Sequence, residues 1–184
     1  INFNDVFSPV KMWDMIIYNH LRDKKIVIPQ KRFEEKNTAY EGAYVKDPQT
    51  GRHNWVCSFD LNSLYPHLIM QYNISPETLI GMHSQNKLVE PLLNGEFDTS
   101  FLKEKNITMT PNGSMYTREK QGFLPELMEQ MYTDRVKYKK LMIEEEKKGS
   151  DGDPNKLAQY YNLQLNLKIA LNSAYGALGN QWFR

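Results

Sequence analysis

Hydrophobic and polar residues alternate between Trp55 and Asp60, and a period of two is typical of a β-strand with one buried face. Pro66 fits the first position of a helix, because the missing N–H of proline has no helical partner there. The pattern therefore predicts a strand, a short turn over residues 61–65 and then a helix. Asp60 would lie at the carboxyl end of the strand, where layered α/β structures place ligands. On this stretch alone, a surface aspartate that closes the strand explains Asp60 better than a functional carboxylate does.

Three other stretches show the 3.6-residue apolar period of helices: residues 9–22, about 125–148, and about 154–176. The glycine-rich run that starts at Gly149 separates the last two. Asp153 as the N-cap and Pro154 at the first helical position open the final helix. Two long helices joined by a short loop predict an antiparallel helical hairpin.

The remaining chain predicts a small amount of sheet. A strand is expected around residues 78–82, and a β-hairpin over residues 107–116 around the turn dipeptide Asn112-Gly113. Residues 23–54 are charged and rich in turn formers, and they predict a surface connector. The fold class is therefore α+β.

Composition restricts the function only weakly. The 184 residues carry a formal net charge of +1 with 24% charged residues, so any basic surface for nucleic acid must be local. The single cysteine excludes an internal disulfide and suits a reducing compartment. The four histidines lack ligand spacing, which argues against a zinc site, and no apolar run has the length of a membrane span. A chain that runs from Ile1 to Arg184 is expected to be an excerpt of a longer protein.

Polar residues in a row mark one face of the last predicted helix. Lys168, Asn172 and Tyr175 follow i, i+4, i+7 spacing and suit a phosphate followed by a sugar or base. Asn172 and Ser173 are mediocre helix formers in a helix interior, and such local conflicts tend to mark functional positions.

A second pair of cations lies on the preceding helix. Arg135 and Lys139 are i, i+4 neighbours, roughly 5–6 Å apart at Cβ. Each cation about 4 Å from a phosphate near a protein surface would contribute on the order of 4 kcal/mol of Coulomb attraction before desolvation. Taken alone, this pair is better explained as a solvated charged face with Lys140 and Glu144.

Two motifs carry a family resemblance. D-L-N-S-L-Y-P, from Asp60 to Pro66, resembles motif A of family B DNA polymerases, and K-I-A-L-N-S-A-Y-G, from Lys168 to Gly176, resembles their motif B. V-F-S-P, N-I-S-P-E-T and G-A-L-G-N-Q-W-F-R extend the resemblance over nearly the whole chain. It is strongest to the replicative enzymes of T-even-type bacteriophages.

The resemblance implies roles for the motif A residues. Asp60 would be the catalytic carboxylate that bridges two Mg²⁺ ions, with the carbonyl of Leu61 as a further ligand. The amides of Ser63, Leu64 and Tyr65 would hold the triphosphate of a deoxynucleotide. Tyr65 would also exclude a 2′-hydroxyl by packing under the deoxyribose.

The same resemblance assigns the other binding residues. The residues that grip the incoming triphosphate would be Arg135, Lys139, Lys168 and Asn172. Tyr175 and Gly176 would lie beside the minor groove of the nascent base pair. Tyr40 and Gly42 resemble a template-strand motif, with Ala43 in place of its second glycine, and His67 replaces the usual serine of motif A.

The resemblance also implies a domain plan and a function. The expected segments are 1–31, the end of an N-terminal region; 32–121, the first part of the palm; 122–180, the fingers hairpin; and 181–184, a return to the palm. The implied activity is DNA-directed addition of deoxynucleotides to a primer 3′-hydroxyl during phage genome replication, in the cytoplasm of an infected bacterial host. The expected partners are primer-template DNA, dNTP, the remainder of the polymerase chain and a sliding clamp bound through the missing part, with no membrane.

No second carboxylate motif, proofreading exonuclease or thumb is present in the sequence, so the chain alone is expected to be inactive. Two alternatives stay open: a natural subunit of a split polymerase, and a non-catalytic module that binds nucleic acid or a protein partner.

Overall fold

The structure is a computed structural model that describes residues 5, 7–28, 30, 45–84, 88–180 and 183. Helices predominate, and a small antiparallel sheet lies between the second and the fifth helix in chain order, which confirms the predicted α+β class. The helices are α1 (Pro9–Asp23), α2 (Leu64–Tyr72), α3 (Val89–Leu93), α4 (Ser100–Glu104), α5 (Phe123–Glu146) and α6 (Pro154–Leu178). The strands are β1 (Leu79–Met82), β2 (Ile107–Met109) and β3 (Ser114–Thr117). No helix in the described part of the chain is both long and apolar enough to cross a bilayer.

The sheet has the order β1-β3-β2, and both pairings are antiparallel. The β2–β3 hairpin closes where the N–H of Thr110 donates to the carbonyl of Ser114 at 2.9 Å. Gly113 takes a φ of 86°, a left-handed conformation that glycine adopts without steric cost. The predicted hairpin and the predicted strand near residue 80 are both confirmed.

The predicted strand over residues 55–60 is wrong. Residues 45–61 form no helix or strand and are exposed throughout, with the side chain of Phe59 91% accessible. Trp55 has a φ of 59°, a left-handed conformation that breaks an extended run. The physical reason is that a strand needs a neighbour to pair its N–H and C=O groups, and no described strand lies beside this segment.

Helix α2 begins two residues earlier than expected, at Leu64, so that Pro66 occupies its third position and not its first. The first four N–H groups of any helix lack intrahelical acceptors, and proline is tolerated there for the same reason. The predicted helix is therefore present, but it starts two residues earlier than predicted.

The antiparallel hairpin of α5 and α6 forms the main core, with α2 packed mainly against α5 and α1 against α6. This arrangement confirms the predicted helical hairpin and the predicted helix over residues 9–22. The core cluster consists of Trp13, Ile69, Leu124, Leu127, Met128, Met131, Ala170, Leu171, Ala174 and Ala177.

A network at the tip fixes the connection between α5 and α6. Asp153 caps α6 as predicted, because its carboxylate accepts the N–H of Asn155 at 2.9 Å. The buried carboxylate of Glu145 accepts the N–H of Asp153 at 2.8 Å and the ammonium of Lys148 at 2.7 Å. These contacts, first the backbone N–H of Asp153 and then Lys148, hold the pKa of Glu145 below its ordinary value.

Asn73 fastens the end of α2 to the sheet and to α5. Its side-chain N–H groups donate to the carbonyls of Thr117 at 2.6 Å and Lys120 at 2.9 Å, and its amide oxygen accepts the N–H of Gly122 at 2.9 Å. A Cβ at Gly122 would lie 2.5 Å from the Cβ of Ser75, so this close approach requires glycine. The start of α5 is thereby fixed relative to α2.

Candidate nucleotide-binding site

Asp60 lies in the exposed segment that leads into α2. Among the residues that the structure describes, no group of three or more His, Cys, Asp or Glu side chains is placed to hold a metal ion. The neighbouring Leu61 is 70% accessible. Asp60 is exposed and therefore open to a ligand.

The N-terminus of α2 is strained at Ser63. This residue has φ 52° and ψ 45°, a left-handed conformation that costs a non-glycine residue on the order of 1–3 kcal/mol. Its hydroxyl makes no cap bond to the helix. Instead the guanidinium of Arg135 donates to the Ser63 hydroxyl at 3.2 Å, which joins α5 to the start of α2.

Arg135 retains unused hydrogen-bonding capacity. Its Nε atom is buried and has no partner within the described part of the protein. Buried N–H groups without an acceptor are rare in folded proteins, and each is a reason to look for a ligand. An anion at the N-terminus of α2 would also benefit from the helix dipole.

Tyr65 and Tyr175 join the two motifs directly. Their ring centroids are 4.6 Å apart and their planes differ by 9°, which is a stacked arrangement. Each side chain remains 39% accessible. The first turn of α2 is thus connected to the polar face of α6 through two aromatic rings that solvent can still reach.

The other predicted residues lie on exposed surface of the same helices. Lys139 on α5, and Lys168, Asn172 and Gly176 on α6, are exposed. None of the ion pairs found among the described residues involves the three predicted cations Arg135, Lys139 and Lys168. Leu64 in the first turn of α2 is 41% accessible. Tyr40 and Gly42 lie outside the described residues.

His67 is a residue whose role the sequence did not reveal. One ring nitrogen, Nδ1, lies 2.9 Å from the carbonyl oxygen of Ser63, and the ring packs edge-on against Tyr132 with centroids 4.7 Å apart. It therefore fixes the first turn of α2 against α5. Its i+4 spacing from Ser63 is the signal that could have identified this bond.

Comparison with known proteins assigns the chain to a family. Residues 11–182 match the family described as DNA polymerase family B. The chain is 32% identical to the DNA-directed DNA polymerase of Escherichia phage RB69, over 100% of this chain and 25% of that protein. It is 33% identical to the enzyme of Enterobacteria phage T4, over 99% of this chain and 25% of that protein.

A eukaryotic relative and a solved archaeal structure also resemble the chain. The chain is 31% identical to the DNA polymerase delta catalytic subunit of Candida albicans, over 89% of this chain and 14% of that protein. The fold matches the structure of the family B DNA polymerase from Pyrobaculum calidifontis with a TM-score of 0.62 at 23% identity, over 96% of this chain and 21% of that one. The chain thus spans about a quarter of the length of its phage relatives. It belongs to the DNA polymerase family B.

Proposed function

We propose that the chain forms the motif A segment and the fingers hairpin of a DNA-directed DNA polymerase. The observation that carries this proposal is the pair of links that motif A makes, from Ser63 to Arg135 on α5 and from Tyr65 to Tyr175 in motif B. They bring a helix N-terminus, a cation with unused donors and two accessible rings to one place. That set matches the chemistry of a nucleoside triphosphate: phosphates, a sugar and a base.

The chain's own residues would bind and orient this substrate. The N–H groups of Ser63, Leu64 and Tyr65 at the start of α2 attract phosphate oxygens. Arg135 would donate to the same phosphates through its guanidinium group, together with the exposed polar side chains Lys139, Lys168 and Asn172. The ring of Tyr65 would lie under the deoxyribose and exclude a 2′-hydroxyl, while Tyr175 and Gly176 would face the minor-groove edge of the new base pair.

Asp60 and the carbonyl of Leu61 are the oxygen ligands that would hold magnesium. Their chemistry fits the ion, because Mg²⁺ is usually held by one or two carboxylates together with substrate phosphates and water. When bound, two such ions would lower the pKa of the primer 3′-hydroxyl and neutralise charge on the α-phosphate. Asp60 would supply one carboxylate ligand, so a second carboxylate would come from another part of the polymerase, and the chain alone would be inactive.

The exposed segment before α2 supports the idea that further polypeptide covers this side. The apolar side chains of Trp55, Val56 and Phe59 are all more than three-quarters accessible, and contiguous exposed apolar side chains often mark a surface that another polypeptide covers. We propose that residues 32–121 are palm, 122–180 fingers, and 1–31 and 181–184 the flanking connections. The proposed setting is phage replication in the cytoplasm of an infected bacterium, on primer-template DNA and with a sliding clamp bound elsewhere.

The same exposed segment favours a second candidate, a subunit of a split polymerase whose partner chain covers it. Reading the encoding DNA past Arg184 distinguishes the two candidates. An open frame that continues into a second carboxylate motif indicates one chain, and a stop codon indicates a split enzyme.

The test of the proposed function is Asp60→Asn in a complete polymerase that contains this sequence. Primer extension is expected to be abolished, because the amide cannot replace the carboxylate as a shared metal ligand. Asp47→Asn, which changes another exposed aspartate in the same irregular segment, is the matched control and should extend normally. Near-normal extension by Asp60→Asn would refute the assignment.

A further inference from the structure

Trp13 on α1 lies outside the two motifs, yet its side chain contacts the helix that carries motif B. Its side chain is fully buried, and its indole N–H donates to the carbonyl oxygen of Ala170 on α6 at 3.0 Å. The hydroxyl oxygen of Ser173 is a second acceptor, at 3.2 Å. A buried tryptophan normally finds one hydrogen-bond partner, and this one is shared between two groups on a single helix.

The contact lies on the side of α6 away from the proposed nucleotide. Successive residues of an α-helix turn by about 100° and rise by about 1.5 Å. Ala170 is two residues from both Lys168 and Asn172, so it is roughly 160° from them around the helix and about 3 Å away along the axis. The indole thus holds α6 directly behind the residues that would bind the triphosphate.

The acceptor at Ala170 is already in use. The hydroxyl of Ser173 donates to the same carbonyl at 2.9 Å, and the helical pattern directs the N–H of residue 174 to it as well. Side chains that bond into a helix ladder are a recognised cause of bending. Removal of the indole N–H would therefore change the local direction of α6 at the point where its polar face begins.

We propose that Trp13 is a positioning residue that fixes the rotation of α6 and so the direction of Lys168, Asn172 and Tyr175. The proposal rests on the proposed nucleotide site. A rotation of α6 by about 10° would move groups at its surface, 5–6 Å from the axis, by about 1 Å. A displacement of that size in a reacting complex can lower the rate by about 100-fold.

The test compares two substitutions in a complete polymerase that contains this sequence. Replacing Trp13 with β-(3-benzothienyl)alanine puts sulfur in place of the indole N–H and preserves the shape of the ring system. Trp13→Phe removes the donor and also leaves a small cavity. Tyr18→Phe is the matched control, because Tyr18 lies on the same helix, is exposed and also loses its hydrogen-bonding group.

Hydrogen exchange and nucleotide incorporation are measured on each variant. Hydrogen exchange of the backbone N–H groups of residues 170–176 is expected to accelerate about fivefold in both Trp13 variants, as the loss of one hydrogen bond implies. Single-turnover incorporation at saturating dNTP is expected to slow by roughly 10- to 100-fold with unchanged affinity for primer-template. The discrimination between correct and incorrect nucleotides should fall as well, and Tyr18→Phe should match the wild type in every measurement.

The proposal is overturned if the benzothienyl variant exchanges and incorporates like the wild type. It is also overturned if incorporation falls only in proportion to the loss of folded protein, because that result would reduce Trp13 to a packing residue. A polymerase in which Asp60→Asn stays active would instead refute the proposed function, and the exchange result would still report whether Trp13 orders α6.

Discussion

The α5–α6 hairpin and the segment of residues 45–61 are opposites in the way they obtain their structure. The hairpin has its own cap at Asp153, its own tip network and a shared apolar face with α1 and α2. The segment has strong β-forming residues, yet it is exposed and irregular. A helix satisfies its backbone hydrogen bonds within itself, whereas a strand depends on a neighbour. The proposed metal ligand Asp60 therefore lies in a segment that lacks the internal contacts that fix the hairpin.

Replacing one leucine in each region with alanine should give the largest difference in the free energy of unfolding. Leu171 in α6 is 1% accessible, and Leu171→Ala is expected to lower the free energy of unfolding by about 2–5 kcal/mol through lost burial and a cavity. Leu61→Ala, at 70% accessibility, is expected to change it by no more than about 0.5 kcal/mol. Denaturant-induced unfolding of the chain measures both.

Equal losses at the two leucines would contradict the comparison, because they would mean that residues 45–61 pack as firmly as the hairpin. If Leu61→Ala costs little in this chain but several kcal/mol in a complete polymerase, the segment gains its structure from the added polypeptide. That result would support the proposed palm assignment directly.

Substitutions of Tyr65 and Tyr175 test the contact between α6 and the first turn of α2, which follows the exposed segment. Tyr65→Ala in a complete polymerase is expected to weaken discrimination against ribonucleotides by about 100-fold, since the ring that excludes the 2′-hydroxyl is gone. Tyr65→Phe retains the ring and should discriminate like the wild type. The measurement is the ratio of kcat/KM values for a deoxynucleotide and the matching ribonucleotide.

Unchanged sugar discrimination in Tyr65→Ala would refute the proposed contact with the deoxyribose. The stack itself contributes about 0.5–1.5 kcal/mol beyond burial. Loss of Tyr175 should therefore weaken discrimination by a much smaller factor than loss of Tyr65.

These two regions also explain which features the sequence could predict. Helical periods, the Asp153 cap and the turn at Gly113 are local signals, and each matched the structure. The predicted strand at residues 55–60 did not form, because no described strand lies beside it. The motif residues were identifiable from their resemblance to a family, but the pairings of Ser63 with Arg135 and of Tyr65 with Tyr175 depend on how α2 packs against α5 and α6. No spacing in the sequence carries that information.

The smallest expected effect concerns the pH dependence of the hairpin tip. The lowered pKa of Glu145 means that the folded protein holds the carboxylate more strongly than the unfolded chain does. Its stabilisation is therefore complete above the ordinary value near 4.5 and is lost as the pH falls through the lowered pKa. Glu145→Gln should be less stable than the wild type at pH 7, and the difference should shrink as the pH falls below about 4.5.

The measurement for Glu145→Gln is the free energy of unfolding of the chain from pH 7 to pH 3. The glutamine oxygen can still accept the N–H of Asp153, so the variant isolates the charge and its pairing with Lys148. Glu126, whose pKa is also lowered, chiefly by its bond to Lys24, leaves some acid sensitivity in every variant. Glu146→Gln changes the exposed neighbour and should follow the wild-type curve. A constant difference between Glu145→Gln and the wild type across this range would show that the Glu145 charge does not stabilise the tip, and the hairpin would then depend on packing and its Asp153 cap.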